Sequence, residues 1–194
     1  MHILCPNTAV SPDLTYSANT SCNELIWLTG HPIPKEHDLS NLEFLCESLP
    51  SGKLTDFTIS DVGCPVASEA FVHVLRNNGI DNIEVFPASI RLTEQSEPVH
   101  GFYAINVLGI VDVIDQDNSI MDFENEDGNL AIYFIDKLVL KPECDSHALI
   151  YRPRGYRTRI LIADRFKQLL DQGGVVGALL VTPEKWDGFN GEKP

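Results

Sequence analysis

Only two segments of this chain carry helical spacing, and both are short: "VASEAFVHVLRNNG", residues 66–79, and "DRFKQLLDQGG", residues 164–174. In the first, Val66, Ala70, Phe71, Val74 and Leu75 fall on one face at helical intervals. Ser68 followed by Glu69 supplies a cap with an acid in the first turn, and Gly79 supplies a left-handed stop. The second segment opens with Asp164 as its cap and stops at Gly173-Gly174. Helices of about a dozen residues are marginal alone and need a surface to pack on. The other apolar runs read as strands: 83–92, broken at Pro87 into an edge or two pieces; 101–114; 130–140; 147–152; and "VVGALLVTP" at the end. The expected fold is therefore α+β, a largely antiparallel sheet with two short helices packed on it.

Laid over each other at an offset of 95, the two segments pair Phe71 with Phe166, Leu75 with Leu170 and Gly79 with Gly174. Each copy has a strand-like lead, one helix, a glycine stop and a strand. That pattern fits a duplicated unit, and it equally fits the common grammar of a helix followed by a strand.

Residues 1–54 read as an irregular N-terminal region with short strands, in which Glu24–Leu28 is a strand or short buried segment. Residues 55–185 read as the core and 186–194 as a polar tail, one domain overall. A hydrophobic fraction of 43% with 22% charged residues and a mean hydropathy of -0.05 belongs to a soluble globular chain. The five cysteines, Cys5, Cys22, Cys46, Cys64 and Cys144, include no C-x-x-C pair, so neither a disulfide framework nor a zinc knuckle is expected, only reduced, partly buried thiols. The opening "MHILCPNTAV" lacks a basic segment followed by an apolar one, and no run approaches a membrane span. A cytoplasmic protein without membrane contact is the expectation.

Charge is unevenly placed. Residues 1–136 hold 21 acids against four bases, a net of -17, and residues 137–194 hold seven acids against ten bases, a net of +3, within a total of -14. The run Asp112, Asp115, Asp117, Asp122, Glu124, Glu126 and Asp127 contains no base at all. Such a field repels nucleic acid and attracts cationic partners. The basic counterpart "YRPRGYRTR" interleaves Arg152, Arg154, Arg157 and Arg159 with two tyrosines. In so acidic a molecule, these arginines are expected to pair with the chain's own acids or to lie solvated in a turn rather than to bind nucleic acid.

The candidate chemistries are incomplete. "VDVIDQDNS" imitates the strand-then-D-x-D pattern of haloacid dehalogenase-like phosphotransferases, which would make Asp115 a nucleophile and Asp117 a general acid-base around magnesium, but the later lysine and acidic pair of that family have no counterpart. Read as a calcium loop from Asp115, position six is Ile120, where a glycine is needed. No G-x-S-x-G, no paired-histidine metal spacing and no phosphate-binding glycine loop occurs. Neither a cofactor nor a metal is expected, and what remains is an acidic binding protein.

Four stretches carry a family resemblance: "LTGHPIP"; "LTDFTISDVGCPVASEAFVHVLRNNGIDNIEVFPASI"; "GFYAINVLGIVDVIDQDNS"; and "ALIYRPRGYRTRILIADRFKQLLDQGGVVGALLVTP". In order and spacing they resemble the eleventh numbered immunity family of bacterial polymorphic toxin systems. The chain departs from that pattern at Ala163-Asp164, where the family shows a hydroxyl residue, and in its unusually basic arginine turn. The resemblance implies a non-catalytic antitoxin bound to a cognate toxin, often a nuclease with a basic cleft. On that expectation the seven acids named above are the partner-binding residues.

Overall fold

In the computed structural model the described residues are 1–17, 24–93, 97–142, 148–189 and 191. Along the chain run β1 (His2–Pro6), β2 (Leu14–Tyr16), a 3-10 turn (Glu24–Leu28), β3 (Leu42–Cys46), β4 (Phe57–Ile59), β5 (Pro65–Ser68), α1 (Glu69–Asn77), β6 (Ile83–Leu92) and β7 (Val99–Val107). There follow β8 (Ile110–Val111), β9 (Ile120–Glu126), β10 (Asn129–Lys137), β11 (Ile150–Pro153), β12 (Leu161–Ile162), α2 (Arg165–Gln172), β13 (Ala178–Val181) and a second 3-10 turn (Pro183–Lys185). The fold is α+β and dominated by sheet, as the sequence indicates.

A six-stranded sheet has the order β2-β3-β6-β7-β5-β4, and a five-stranded sheet the order β13-β1-β12-β11-β8. Among the described residues, only β3 with β6 and β8 with β11 pair in parallel. A separate two-stranded sheet is formed by β9 and β10.

The offset seen in sequence is a duplication in topology. In the first unit the order is β4-β5-β7-β6, and in the second β11-β12-β1-β13, each with one helix linking the lead strand to the last. Every pairing of the second unit has its counterpart in the first. Ile150↔Ile162 and Tyr151↔Leu161 match Phe57↔Ala67 and Thr58↔Val66. His2↔Ile162 and Ile3↔Leu161 match Ala67↔Tyr103 and Val66↔Ala104. The run Ile3↔Val181 to Pro6↔Ala178 matches Phe86↔Ala104 to Ile83↔Val107. The connection differs: β7 follows β6, whereas β1 stands at the start of the chain. The repeat is circularly permuted.

Both helices cover one shared core, to which equivalent positions contribute in pairs: Phe71 with Phe166, Leu75 with Leu170, Ala67 with Ile162 and Ile105 with Leu4. A second core lies under Trp27, Phe44, Val66 and Ile90, and a third under Tyr151, Leu161, Val181 and Trp186.

Several local expectations change. The segment Pro65–Ser68 is strand, and the helix begins only at Glu69, where the Ser68 hydroxyl accepts from the Phe71 amide at 3.3 Å. Asp164 makes no side-chain cap, because its carboxylate is spent on the Met1 ammonium and on His2 Nδ1. That pairing holds the Asp164 carboxyl below its ordinary range, chiefly through the hydrogen bond from the ammonium. Strand β6 is continuous and interior despite Pro87, since β3 pairs with it only from Ala88 onward and no donor is needed at the proline. Glu24–Leu28 is a 3-10 turn that buries Trp27 completely. Trp186, at the start of the segment read as a polar tail, is buried in the third core. Cys5, Cys46 and Cys64 are buried thiols, whereas Cys22, Cys144 and His147 lie outside the described residues.

Candidate functional site

The acidic run of the sequence divides into a linker and a projecting hairpin. Asp112 pairs with Lys141 Nζ at 2.9 Å across the base of the hairpin. Asp115 folds its own loop: its Oδ1 accepts from the amides of Asp117 and Asn118, each at 3.1 Å, and its Oδ2 from Asn118 Nδ2 at 2.8 Å. These bonds, led by the Asn118 side chain, hold the Asp115 carboxyl below the usual carboxylate range. Such a carboxylate is occupied as a turn-former, which is not the disposition of the free nucleophile in the phosphotransferase reading. Among the described residues no group of three or more His, Cys, Asp or Glu side chains is placed to hold a metal ion. Asp117 is exposed in the same loop.

The other four acids sit on the hairpin. Asp127 and Gly128 form its two-residue turn with φ of 52° and 83°, the left-handed pair that an Asp-Gly turn of the mirror-image type requires. Glu126 and Asn129 close the turn as partners, and the ladder runs through Glu124↔Ala131 and Phe123↔Ile132 before an irregularity near Tyr133. By the period of two, Asp122, Glu124 and Glu126 share one face of β9 and Met121, Phe123 and Asn125 the other. The second face is the inner one: Ile132 and Ile135 are buried in the third core, with Met121 and Leu130 packed against them.

The outer face is more than acid. Tyr133, 62% exposed, donates its hydroxyl to Glu124 Oε2 at 2.7 Å. That bond, with burial and the charges of Glu124 and Glu126 behind it, pushes the phenol up from its ordinary value. Phe134 stands opposite Asp122 and packs on Phe189 with ring centroids 6.1 Å apart. Beyond Tyr133 and Phe189 opens a groove of 690 Å³ toward the 3-10 turn, with the exposed Leu25 on its rim. Exposed aromatics beside a charged rim are the composition of a protein-binding surface.

The arginine turn supports this hairpin from below. Arg152 is wholly buried; it donates to the carbonyls of Arg157 and Gly63, and burial lowers its pKa to about 10. Arg154 donates to the carbonyl of Gly128 at 2.8 Å, and the Arg159 guanidinium lies over the rings of Tyr156 and Trp186. Arg152 and Arg159 depart from both expectations, their guanidinium groups meeting backbone carbonyls and aromatic faces, whereas Arg154 and Arg157 lie exposed in the turn as expected.

Five of the seven acids read from the sequence, Asp117, Asp122, Glu124, Glu126 and Asp127, are exposed, and Glu124 accepts from the Tyr133 hydroxyl. Asp112 and Asp115 are engaged within the chain. Sequence reasoning missed Phe123, Tyr133, Phe134 and Phe189. The signal was there in Asp127-Gly128, which marks a hairpin and hence two strand faces.

Residues 30–185 match the model of the Immunity protein family (Imm11). The chain belongs to that family, and the resemblance carried by its four segments stands. Membership gives it an immunity function, that of an antitoxin with a cognate toxin as partner. No curated protein matches the chain. No helix among the described residues is long and apolar enough to cross a membrane.

Proposed function

We infer that this antitoxin acts in the cytoplasm without catalysis, masking a nuclease-type toxin whose nucleic-acid cleft is basic. The observation that carries the reading is the outer face of the hairpin, where Asp122, Glu124, Glu126 and Asp127 stand beside Tyr133 and Phe134. Carboxylates spaced along a strand present charge to a cationic cleft much as phosphates do, and the aromatic rings supply the contact area that makes association last. Asp117 extends the same negative surface, while Asp112 and Asp115 shape the loop that leads into it.

Co-expression with the product of the neighbouring reading frame tests the function. Growth in the presence of both proteins, against arrest with the neighbour alone, is the expected outcome; a harmless neighbour would count against it. The contact is tested by Glu124→Lys together with Glu126→Lys. Because steering by a charged surface raises association rates by roughly 10 to 1,000-fold, the pair should slow association at least tenfold and flatten its salt dependence. An unchanged rate would place the interface on another face.

A further inference from the structure

The hairpin has one edge covered and one edge open. Glu126 and Asn129 close the two-residue turn as a hydrogen-bonded pair, so the backbone groups of Glu126 and Glu124 point toward β10. Those of Asn125 and Phe123 point away from it. The same alternation on β10 turns Ile132 outward, and its amide does donate outward, to the carbonyl of Gly155 at 2.9 Å. The arginine turn therefore covers the β10 edge. Among the described residues, nothing pairs with the outer edge of β9, a seven-residue strand without proline.

We propose that this edge takes up an extended strand of the toxin bearing Lys or Arg at alternate positions, which adds to β9 as the third strand of the sheet. The proposal rests on the acidic hairpin being the toxin contact and states how that contact is made. An added strand repeats its side chains at the same spacing as Asp122, Glu124 and Glu126, so alternate cations fall opposite successive carboxylates. The same charges select against a second copy of this chain, because two β9 edges brought together would set carboxylate against carboxylate. Phe123, 45% exposed, lies on the opposite face, where an apolar residue of the incoming strand would meet it. Backbone bonds supply the binding and the acids supply the choice of partner.

The probe is a synthetic nine-residue peptide alternating lysine with valine, titrated into the whole chain and followed by backbone amide NMR. The amides of Phe123 and Asn125 should become protected from exchange, and those of Glu124 and Glu126, already bonded to β10, should change little. Methylating the peptide nitrogens at one alternate set of residues should weaken binding at least tenfold, and methylating the other set should not. On the protein side Asn125→Pro removes one outward donor and no charge, and it should give the same loss. Equal binding by both methylated peptides, or no protection at Phe123 and Asn125, overturns strand addition. If Glu124→Lys with Glu126→Lys leaves lysine-peptide binding unchanged, the underlying acidic contact fails as well, so the two failures are told apart.

Discussion

Gly155 and Gly128 have nearly the same backbone, φ of +82° and +83°, in different surroundings. A Cβ on Gly155 would stand 2.6 Å from Leu130 Cγ, whereas one on Gly128 meets nothing within 4 Å. Alanine at either site incurs the left-handed cost, about 1–2 kcal/mol. Only Gly155→Ala adds overpacking against the hairpin, about 1–3 kcal/mol more. At roughly 2–4 °C per kcal/mol for a chain of this size, the expected falls in Tm are about 5 °C for Gly128→Ala and about 10 °C for Gly155→Ala. Thermal unfolding followed by circular dichroism measures both. Exchange at the Ile132 amide, which donates to the Gly155 carbonyl, should accelerate far more in Gly155→Ala. Equal falls in Tm would mean that the arginine turn does not press on the hairpin in solution, and the covered β10 edge would go with it.

Leu75→Ala and Leu170→Ala remove equivalent side chains from the shared core, so each should cost about 2–5 kcal/mol in denaturant unfolding; a large loss at one and none at the other would deny them a common core. The depressed Asp115 carboxyl contributes stability above its unfolded pKa of about 3.9 and loses it as pH falls through the lower folded value. Carbon-detected titration should show Asp115 protonating only below its unfolded value, and Asn118→Ala should bring its midpoint back up. Burial pushes the Cys5 thiol up to about 12, so a thiol reagent at pH 8 should leave it unmodified until the chain unfolds, read by mass spectrometry of the Cys5 peptide.

The two helices were legible because apolar spacing and glycine stops are local properties of a dozen residues, and both survive in the structure. Boundaries were less so. At Pro65–Ser68 the apolar spacing of the helix runs on into a strand, and only the pairing with β4 and β7 decides between them. Strand β9 was obscured by its own acids, which fill every second position and make an edge strand read as a loop. The arginine turn shows the opposite error of scale: its charge is plain in sequence, but burial of Arg152 and stacking of Arg159 depend on residues from Gly63 to Trp186. Of the candidate site, the acids and, through the Asp127-Gly128 turn, the hairpin aromatics were within reach of the sequence, whereas Phe189 was not, since it meets Phe134 only through the fold.

The permuted repeat also sets a timetable. On a ribosome, the strand His2–Pro6 emerges well ahead of both of its neighbours, Leu161–Ile162 and Ala178–Val181. At roughly 5–20 residues per second it waits on the order of ten to thirty seconds with its backbone unmatched. The first unit can close before Leu161–Ile162 and Ala178–Val181 have been made, and the second cannot.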